Sequence, residues 1–225
     1  MAKSRSGKIA AGLAGAAFFF VLLAFATPSW VVSDGYLPHP KMEQIGLWVV
    51  CFHDFEDTRH WYETKFTGCW WVFEEEYYII HDILLPGFFL ATQFFFTVTV
   101  IALLAVVLGV ALYLACSRDQ ERYVLLLIVI GTAELVGAVS GTIALIIFGY
   151  NGDGRVWMPN WEHNHLGYSY AMAVIGVICS YVSSWMFLVE GRRHHIKRQK
   201  LEERHLGGGS SGYPMHATKS SHTTI

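Results

Sequence analysis

Four long runs of apolar residues dominate the pattern of hydrophobic and polar positions along the chain. They cover residues 9–29, 88–116, 123–150 and 168–190, and Glu134 is the one charged side chain deep inside them. About 20 helical residues cross the hydrocarbon core of a bilayer, and each run is long enough to do so. The pattern predicts four transmembrane helices surrounded by membrane lipid.

The segment between the first two runs, residues 30–87, has a different periodicity. Here valines and aromatic residues alternate with polar ones, in residues 30–32, 44–52 and 69–73, with turn residues between them. Period-two alternation broken by turn residues is typical of short β-strands. The sequence therefore predicts an all-α membrane protein: a four-transmembrane-helix bundle with a small extracellular antiparallel β-sheet formed mainly by this first loop.

The lysines and arginines that set the orientation lie in three polar segments, residues 1–8, the turn 117–122 and the start of the tail 191–225. In a four-span chain these segments share one side, and basic segments favour the cytoplasm. We expect both termini to be cytoplasmic, and residues 30–87 and the second loop 151–167 to be extracellular. The tail is polar and then rich in glycine and serine, which predicts disorder.

The first apolar run has a second interpretation, a cleaved signal peptide. Ala24-Phe25-Ala26 fits the small-x-small pattern of a cleavage site. The run is, however, longer than the roughly 7–15 apolar residues of a signal core. A retained first helix is therefore the favoured interpretation.

Composition supports a membrane protein and argues against an active site. Of 225 residues, 53% are hydrophobic and 15% are charged. On neither side of the predicted bilayer does the sequence offer a nucleophile beside a base, a phosphate-binding glycine loop or a pair of catalytic carboxylates. His163 and His165 are close in sequence, but His194 and His195 are predicted to lie across the membrane. We expect no enzymatic activity, no metal ion, no cofactor and no nucleic-acid partner.

The four cysteines fall into two groups. Cys51 and Cys69 lie in the first loop, in a compartment where a disulfide is the expected state, and free thiols or a metal site are the alternatives. Closing such a loop stabilises a fold by about 3 kcal/mol. Cys179 lies inside the fourth run as a small packing residue. Cys116 ends the second run, where either reversible palmitoylation or an inert buried thiol fits.

The first loop is strongly acidic, with ten acidic side chains against three basic ones. If it lined an aqueous path between cells, this charge would attract cations and repel anions. The commoner use of such charge is a solvated face. The acidic residues are Asp34, Glu43, Asp54, Glu56, Asp57, Glu63, Glu74, Glu75, Glu76 and Asp82.

Six tryptophans fall in loops near the predicted membrane exits. Indole rings favour that interface because they combine an apolar body with one N–H donor. We expect them mainly to anchor the loops there, and contact with another copy of the chain is the alternative. The six are Trp30, Trp48, Trp70, Trp71, Trp157 and Trp161.

Glu134 is expected to face the inside of the bundle, because exposing its carboxyl group to lipid costs on the order of 3 kcal/mol. It shares a helical face with Gly131, Gly137 and Gly141, and such small residues let helices approach closely. We predict that this face packs on a small-residue stripe around Gly176 and that Glu134 is structural rather than part of a proton relay. That stripe comprises Ser169, Ala173, Gly176, Ser180 and Ser183.

The chain ends in Thr223-Thr224-Ile225. PDZ domains bind a free C-terminus as an added strand, with the carboxylate in a backbone nest and the terminal aliphatic side chain in an apolar pocket. A hydroxyl two residues before the end suits that mode. The sequence predicts a PDZ-domain scaffold as a cytoplasmic partner.

A series of residues in the first loop resembles the signature of the claudin and peripheral-myelin-protein superfamily. The series is Trp30, Gly46-Leu47-Trp48, Cys51 and Cys69. The resemblance extends over the four apolar runs, the large first loop, the shorter second loop and the tail. It implies a protein of the plasma membrane at lateral cell–cell junctions, which self-associates in cis and in trans and contacts other junction membrane proteins.

The sequence departs from vertebrate claudins in two places. The interval between the two loop cysteines is longer, and His81-Asp82 stands near the position of the usual arginine. Residues 84–93 look more like the invertebrate, insect-type claudin-like proteins of septate junctions. The implied function is assembly of septate or tight-type junctions and of the paracellular diffusion barrier. The alternative is a tetraspan auxiliary subunit or trafficking adaptor of an ion channel or receptor.

Overall fold

The computed structural model describes residues 4–36, 40–56, 65–115, 122–152, 157–158 and 161–208. These residues form α1 (Arg5–Ala26), a single-turn α2 (His81–Leu84), α3 (Gly87–Ala115), α4 (Tyr123–Asn151) and α5 (Tyr168–Gly208). All of these except α2 are long and apolar enough to cross a membrane. The predicted class, a four-helix membrane bundle, is confirmed.

Helix α1 begins and ends where its sequence dictates. The Ser4 Oγ accepts a hydrogen bond from the Gly7 N–H at 2.9 Å and caps the first turn. The helix ends at Ala26 because Pro28 follows, and the residue before a proline disfavours helical torsion angles. Small residues at helical spacing form one buried face: Gly7, Ala10, Ala14, Ala17, Val21 and Ala24.

The four long helices form a ring in which each packs on two neighbours. Helix α1 lies against α5, α5 against α4 and α4 against α3, and a looser contact between α3 and α1 closes the ring. Large apolar side chains point outward, among them Phe94, Ile101 and Leu108 on α3. Such an outside is expected where lipid, not water, is the solvent.

A five-stranded antiparallel sheet covers one end of the bundle. Its strands are β1 (Val31–Ser33), β2 (Met42–Ile45), β3 (Val49–Phe55), β4 (Phe66–Trp71) and β5 (Asn164–Leu166), in the order β4-β3-β2-β1-β5. The first loop contributes four of these strands, so it forms most of the sheet, as predicted. Strand β5 comes from the second loop, for which no strand was expected, so both loops share one sheet.

Two parts of the first loop differ from the sequence prediction. Residues 44–52 were predicted as one strand but form a hairpin, in which the Gly46 N–H donates to the Val49 carbonyl at 2.8 Å. Residues between β4 and α3 form a 3-10 helix, Glu75–Ile80, followed by α2. Periodicity did not reveal the hairpin because apolar residues continue through its turn.

Helix α5 extends well past the predicted end of the fourth membrane segment. The sequence predicted a disordered tail from residue 191, but the helix continues to Gly208. Arginine, lysine, glutamine, leucine and glutamate dominate this extension, and all of them are strong helix formers. His194 lies 3.3 Å from the Glu190 carboxylate one turn earlier and adds a local contact.

The buried apolar residues form two clusters. The larger cluster joins the underside of the sheet to the neighbouring end of the helices and includes Trp30, Phe96 and Phe148. The smaller one lies at the opposite end of the bundle and includes Tyr113 and Phe187. The sheet is therefore continuous with the bundle core at one end.

Candidate functional site

Trp30 lies in the short extended segment between α1 and β1, and its backbone is held from both sides. Its N–H donates to the Ile45 carbonyl at 2.8 Å, and its carbonyl accepts from the Gly167 N–H at 2.9 Å. Two different loops thus hydrogen-bond to one residue. The indole is consequently fixed at the point where α1 leaves the bundle.

The Trp30 side chain fills the space between three helices. Its ring makes edge contacts with Phe96 at 5.0 Å, Phe148 at 4.9 Å and Tyr170 at 5.9 Å, centroid to centroid. Its Nε1–H donates to the Ala24 carbonyl at 2.7 Å, one of the carbonyls left free at the end of α1. The indole is fully buried.

The expectation that Trp30 anchors a loop at the membrane interface is therefore wrong, and Trp157 is likewise buried. The Trp157 Nε1–H donates to the Ile83 carbonyl at 3.1 Å, and its ring packs on Phe88. Burial of both indoles is favourable because aromatic side chains of the helix ends surround each ring and a backbone carbonyl accepts each indole N–H.

Gly46 occupies a position where no side chain fits. A Cβ there would stand 2.5 Å from the Pro28 Cα and 2.7 Å from the Thr27 carbonyl oxygen. The β2–β3 turn therefore lies directly on the backbone that leaves α1. Glycine is required here by the close approach of two chain segments, not by an unusual backbone angle.

Leu47 and Trp48 complete the contact between this turn and the helices. Leu47 is fully buried, and its carbonyl accepts a hydrogen bond from the Gln93 side chain of α3 at 2.6 Å. The Trp48 ring packs on Phe25 of α1 at 5.2 Å. The Gly-Leu-Trp turn thus connects the sheet to two different helices.

Cys51 and Cys69 form the predicted disulfide. They are register partners on β3 and β4, with Cα atoms 4.0 Å apart. The Cys51 side is buried and the Cys69 side faces solvent. The bond links the outer strand β4 to β3, which begins directly after the β2–β3 turn.

Several polar contacts in this region were not predicted. Gln93 appeared in the sequence only as a polar interruption of the second run, yet it is buried and bonds to the loop. Ser169, at the start of α5, lies 2.6 Å from the Thr27 hydroxyl at the end of α1. A buried polar side chain inside an apolar run needs a partner, and that rule was the available signal for both.

The glycines predicted to pack α4 on α5 divide between three helices. Gly131 and Gly141 face Leu188 and Val177 of α5, but Gly137 faces Ala102 of α3. On α5, Gly176 packs against Val21 and Ala17 of α1. The single α4–α5 interface expected from the two stripes is wrong in this respect. Each helix of a ring has two neighbours, and one small-residue face serves both.

Glu134 lies inside the bundle and is fully buried. The Ser183 Oγ is 3.0 Å from the Glu134 Oε2 and 2.9 Å from the Ala10 carbonyl oxygen, so three helices meet at one hydroxyl. A hydroxyl has one proton to donate, and a carbonyl can only accept. Both contacts are satisfied when the carboxyl group is protonated and donates to Ser183, which in turn donates to Ala10.

Strand β4 presents aromatic side chains to solvent. Trp70 and Trp71 are 46% and 53% exposed, and Phe73, just after the strand, is 41% exposed. Residues 70 and 71 point to opposite faces of a strand, yet both are exposed because β4 is an edge of the sheet. One side of β4 has no neighbouring strand among the described residues, and edge strands of this kind pair readily with another chain.

Acidic side chains surround the sheet. Asp34 accepts a hydrogen bond from the Tyr36 N–H at 3.0 Å and lies 2.9 Å from the His163 Nδ1 of the second loop. Desolvation acts to raise the pKa of the Asp34 carboxyl, but the Tyr36 and His163 contacts outweigh it and hold that pKa below its ordinary value. Of the other acidic residues, Glu43, Asp54, Glu56, Glu75 and Asp82 are exposed.

Some predicted positions lie outside the described residues. These are Cys116, Asp57, Glu63 and the C-terminal Thr223-Thr224-Ile225, and the side chains of Glu76 and Trp161 also lie outside the description. Cys179 is a partly buried free thiol in α5. In the described part of the chain, no group of three or more histidine, cysteine or acidic side chains is placed to hold a metal ion.

The architecture defines a class of protein: a tetraspan membrane protein whose loops build one disulfide-bonded sheet, seated on the helices by Trp30 and the Gly-Leu-Trp turn. The family model described as PMP-22/EMP/MP20/Claudin tight junction matches residues 16–189. The chain belongs to this family, and it is a tetraspan junction-type protein. The superfamily resemblance of the sequence is thereby confirmed. A search among curated proteins finds no significant match.

Proposed function

We propose that the protein is a claudin-like component of cell–cell junctions that helps to assemble septate or tight-type junctions and their paracellular diffusion barrier. It would span the plasma membrane at lateral cell contacts, with both termini in the cytoplasm. The family match and the basic residues at the end of the bundle away from the sheet support this placement. The resemblance of residues 84–93 to the invertebrate claudin-like proteins of septate junctions favours the septate form.

The observation that carries the proposal is the exposed aromatic edge of the sheet. In the described part of the chain, one side of strand β4 has no neighbouring strand, and Trp70 and Trp71 are exposed there. Aromatic side chains are enriched at protein–protein interfaces. The disulfide and the Gly-Leu-Trp turn hold this edge in a fixed position relative to the membrane. Copies in one membrane would associate through this edge, and copies in facing membranes through the rest of the sheet.

The segments outside the described residues would serve the same function from the cytoplasmic side. Thr223-Thr224-Ile225 is proposed as the ligand of a PDZ-domain scaffold. Palmitoylation of Cys116 would add a lipid anchor at the membrane surface. Both would concentrate the protein where junctions form.

A second candidate function is that of a tetraspan auxiliary subunit or trafficking adaptor of an ion channel or receptor. A lipid-facing apolar groove of about 510 Å³ between α3 and α4, lined by residues including Phe94, Val98 and Val139, favours it. Such a groove would accept a transmembrane helix of a partner through van der Waals packing. Under this function, the location of the protein would depend on the pore-forming partner.

Energy transfer between differently labelled copies in epithelial cells tests the proposed junction function. We expect transfer at cell contacts, and a large loss of it in the double variant Trp70→Ser/Trp71→Ser. Tyr36→Ser/Tyr78→Ser is the matched control, because those two tyrosines are 85% and 76% exposed but lie outside β4. Equal transfer in both double variants, or a diffuse location of the wild type, would count against the proposal.

A further inference from the structure

Helix α5 carries a row of basic side chains beyond its apolar span. Arg193, Lys197, Lys200 and Arg204 stand at positions i, i+4, i+7 and i+11, so they share one face of the helix. All four are exposed, and Glu202 lies on the opposite face. This basic stripe is about 16 Å long at a rise of about 1.5 Å per residue.

We propose that the basic stripe binds the headgroup of a polyphosphoinositide, an anionic lipid whose inositol phosphates project beyond the phosphodiester layer of the membrane. This inference goes beyond the junction function and rests on α5 crossing the membrane with its basic end on the cytoplasmic side, as proposed above. Clusters of four to eight lysines and arginines directly beyond a membrane span are the usual sequence feature of anionic-lipid binding.

The distances along the helix suit a projecting headgroup. The apolar span ends at Val189, so Arg193 lies about 6 Å, Lys197 about 12 Å and Lys200 about 16 Å farther along the axis. The headgroup region is only about 5–7 Å thick on each side. Of these backbone positions, only that of Arg193 therefore lies within the thickness of a phosphatidylserine headgroup, whereas the outer phosphates of an inositol ring project toward the lysines.

Side-chain direction brings the lysines back toward the membrane. In a helix each Cα–Cβ bond tilts toward the N-terminus, and the N-terminal part of α5 is its membrane span. Long basic side chains can then extend along the helix toward the headgroups while their stems cover apolar surface. Ile196 and Leu201, 50% and 55% exposed, provide apolar surface beside the stripe.

The base of the stripe is fixed to the bundle. Glu190 is 4% exposed, accepts a hydrogen bond from the Ser4 Oγ at 2.5 Å and lies 3.3 Å from the His194 Nε2. This contact places the first turn of α1 beside α5. Arg5 and Lys8 of α1 are exposed, and they add positive charge at the same level of the membrane.

A shallow depression of about 270 Å³ lies along the stripe. It is lined by Lys197, Lys200, Leu201 and Arg204.

A lipid is favoured over an acidic protein because the stripe is covalently attached to a membrane span. It cannot leave the membrane surface, so an anionic lipid is always available at high local concentration. Each basic residue near an anionic surface contributes about 1 kcal/mol of attraction. A soluble acidic partner would have no such advantage.

Fluorescence anisotropy of a labelled short-chain phosphatidylinositol bisphosphate tests the proposal on the purified full chain in neutral detergent. Lys197→Gln/Lys200→Gln should weaken binding about 30-fold, which is two contributions of about 1 kcal/mol each. The matched control Arg192→Gln/Arg198→Gln removes the same charge from other faces of the helix, and it should weaken binding less than about threefold. Phosphatidylserine should compete poorly, as should soluble inositol trisphosphate, which lacks the membrane anchor.

Four results would overturn the proposal. Undetectable lipid binding by the wild type would refute it directly. Equal weakening in both double variants would mean that overall charge, not the stripe, attracts the lipid. Competition by inositol trisphosphate at full strength would assign the stripe to a soluble phosphate compound. Stronger binding of a polyglutamate peptide than of the lipid would assign it to an acidic protein. Thermal unfolding of both variants confirms that each is folded.

Discussion

Trp30 begins a segment whose alternation predicted a β-strand, yet it lies just before β1 and its ring touches three helices. Its backbone N–H bonds to β2, and its carbonyl bonds to Gly167, directly after β5. The residue is buried because the α1 exit is where the sheet and the helix ends meet. Single residues of this kind determine how the sheet sits on the bundle.

Replacing Trp30 with alanine should destabilise the protein severely. The change leaves a large cavity and removes the hydrogen bond to Ala24, and buried tryptophan-to-alanine changes cost about 3–5 kcal/mol. Thermal unfolding in detergent measures the effect. Trp71→Ala is the matched control and should change stability by less than about 0.5 kcal/mol, since Trp71 is half-exposed. Equal losses would contradict the buried position of Trp30.

Replacing Gly46 with alanine should also be destabilising, although it adds only one methyl group. The new Cβ would collide with the Thr27–Pro28 backbone, and overpacking of this kind costs about 1–3 kcal/mol. Gly15→Ala is the control, because nothing lies within 4 Å of a Cβ there and alanine is the better helix former. The unfolding midpoint should fall for the first variant and stay level or rise for the second. The opposite order would refute the close approach at Gly46.

Among the elements, β4 depends on the disulfide. Cys51→Ser should loosen β4 and lower stability by about 3 kcal/mol. Hydrogen exchange should show lost protection in β4 and retained protection in the four long helices, which make their hydrogen bonds internally. Cys179→Ser, a change at the free thiol of α5, should leave β4 unaffected. Retained protection of β4 in Cys51→Ser would show that strand pairing alone holds the edge.

Strands β1 and β5 are joined by a contact that should respond to acid. The pKa of Asp34 is lowered in the folded protein, so its stabilising contribution is present above the unfolded pKa of about 3.9. That contribution is lost as the pH falls through the folded pKa. Between pH 5 and 3, the wild type should lose more thermal stability than Asp34→Asn. Glu43→Gln, at an exposed carboxyl of β2, should behave like the wild type. An identical acid response in all three would exclude this role of Asp34.

The helices could be predicted from the sequence to a greater extent than the sheet. Apolar runs long enough for a bilayer have no soluble alternative, so α1, α3 and α4 follow from composition. The turn at Gly46 and strand β5 depend on contacts between distant parts of the chain, and local periodicity does not contain them. The helical extension of α5 was missed because its glycine-rich end suggested a flexible tail throughout.

The candidate site, like the fold, could be predicted from the sequence only in part. The residue series from Trp30 to Cys69 indicated where the family features lie, and the disulfide followed from the predicted topology. The roles of Trp30 and Gly46 could not be predicted, because they depend on the helix ends that surround them. Gln93 shows the general limit: a buried amide requires a partner, but the sequence does not say which one.

The whole molecule has three parts from one end to the other. A rigid sheet with an exposed aromatic edge would associate with other copies. A four-helix bundle holds that sheet at the membrane surface. A basic helical extension at the opposite end would hold the protein to anionic lipid. The barrier proposal depends on the first part.

A tracer-leak assay in an epithelium depleted of this protein tests the junction function most directly. We expect a membrane-impermeant dye to cross between the depleted cells. Wild-type protein should restore the barrier, and the Trp70→Ser/Trp71→Ser variant should not, even when it reaches the cell surface. An intact barrier after depletion, with the protein diffuse or intracellular beforehand, would contradict the junction function and favour an auxiliary-subunit role.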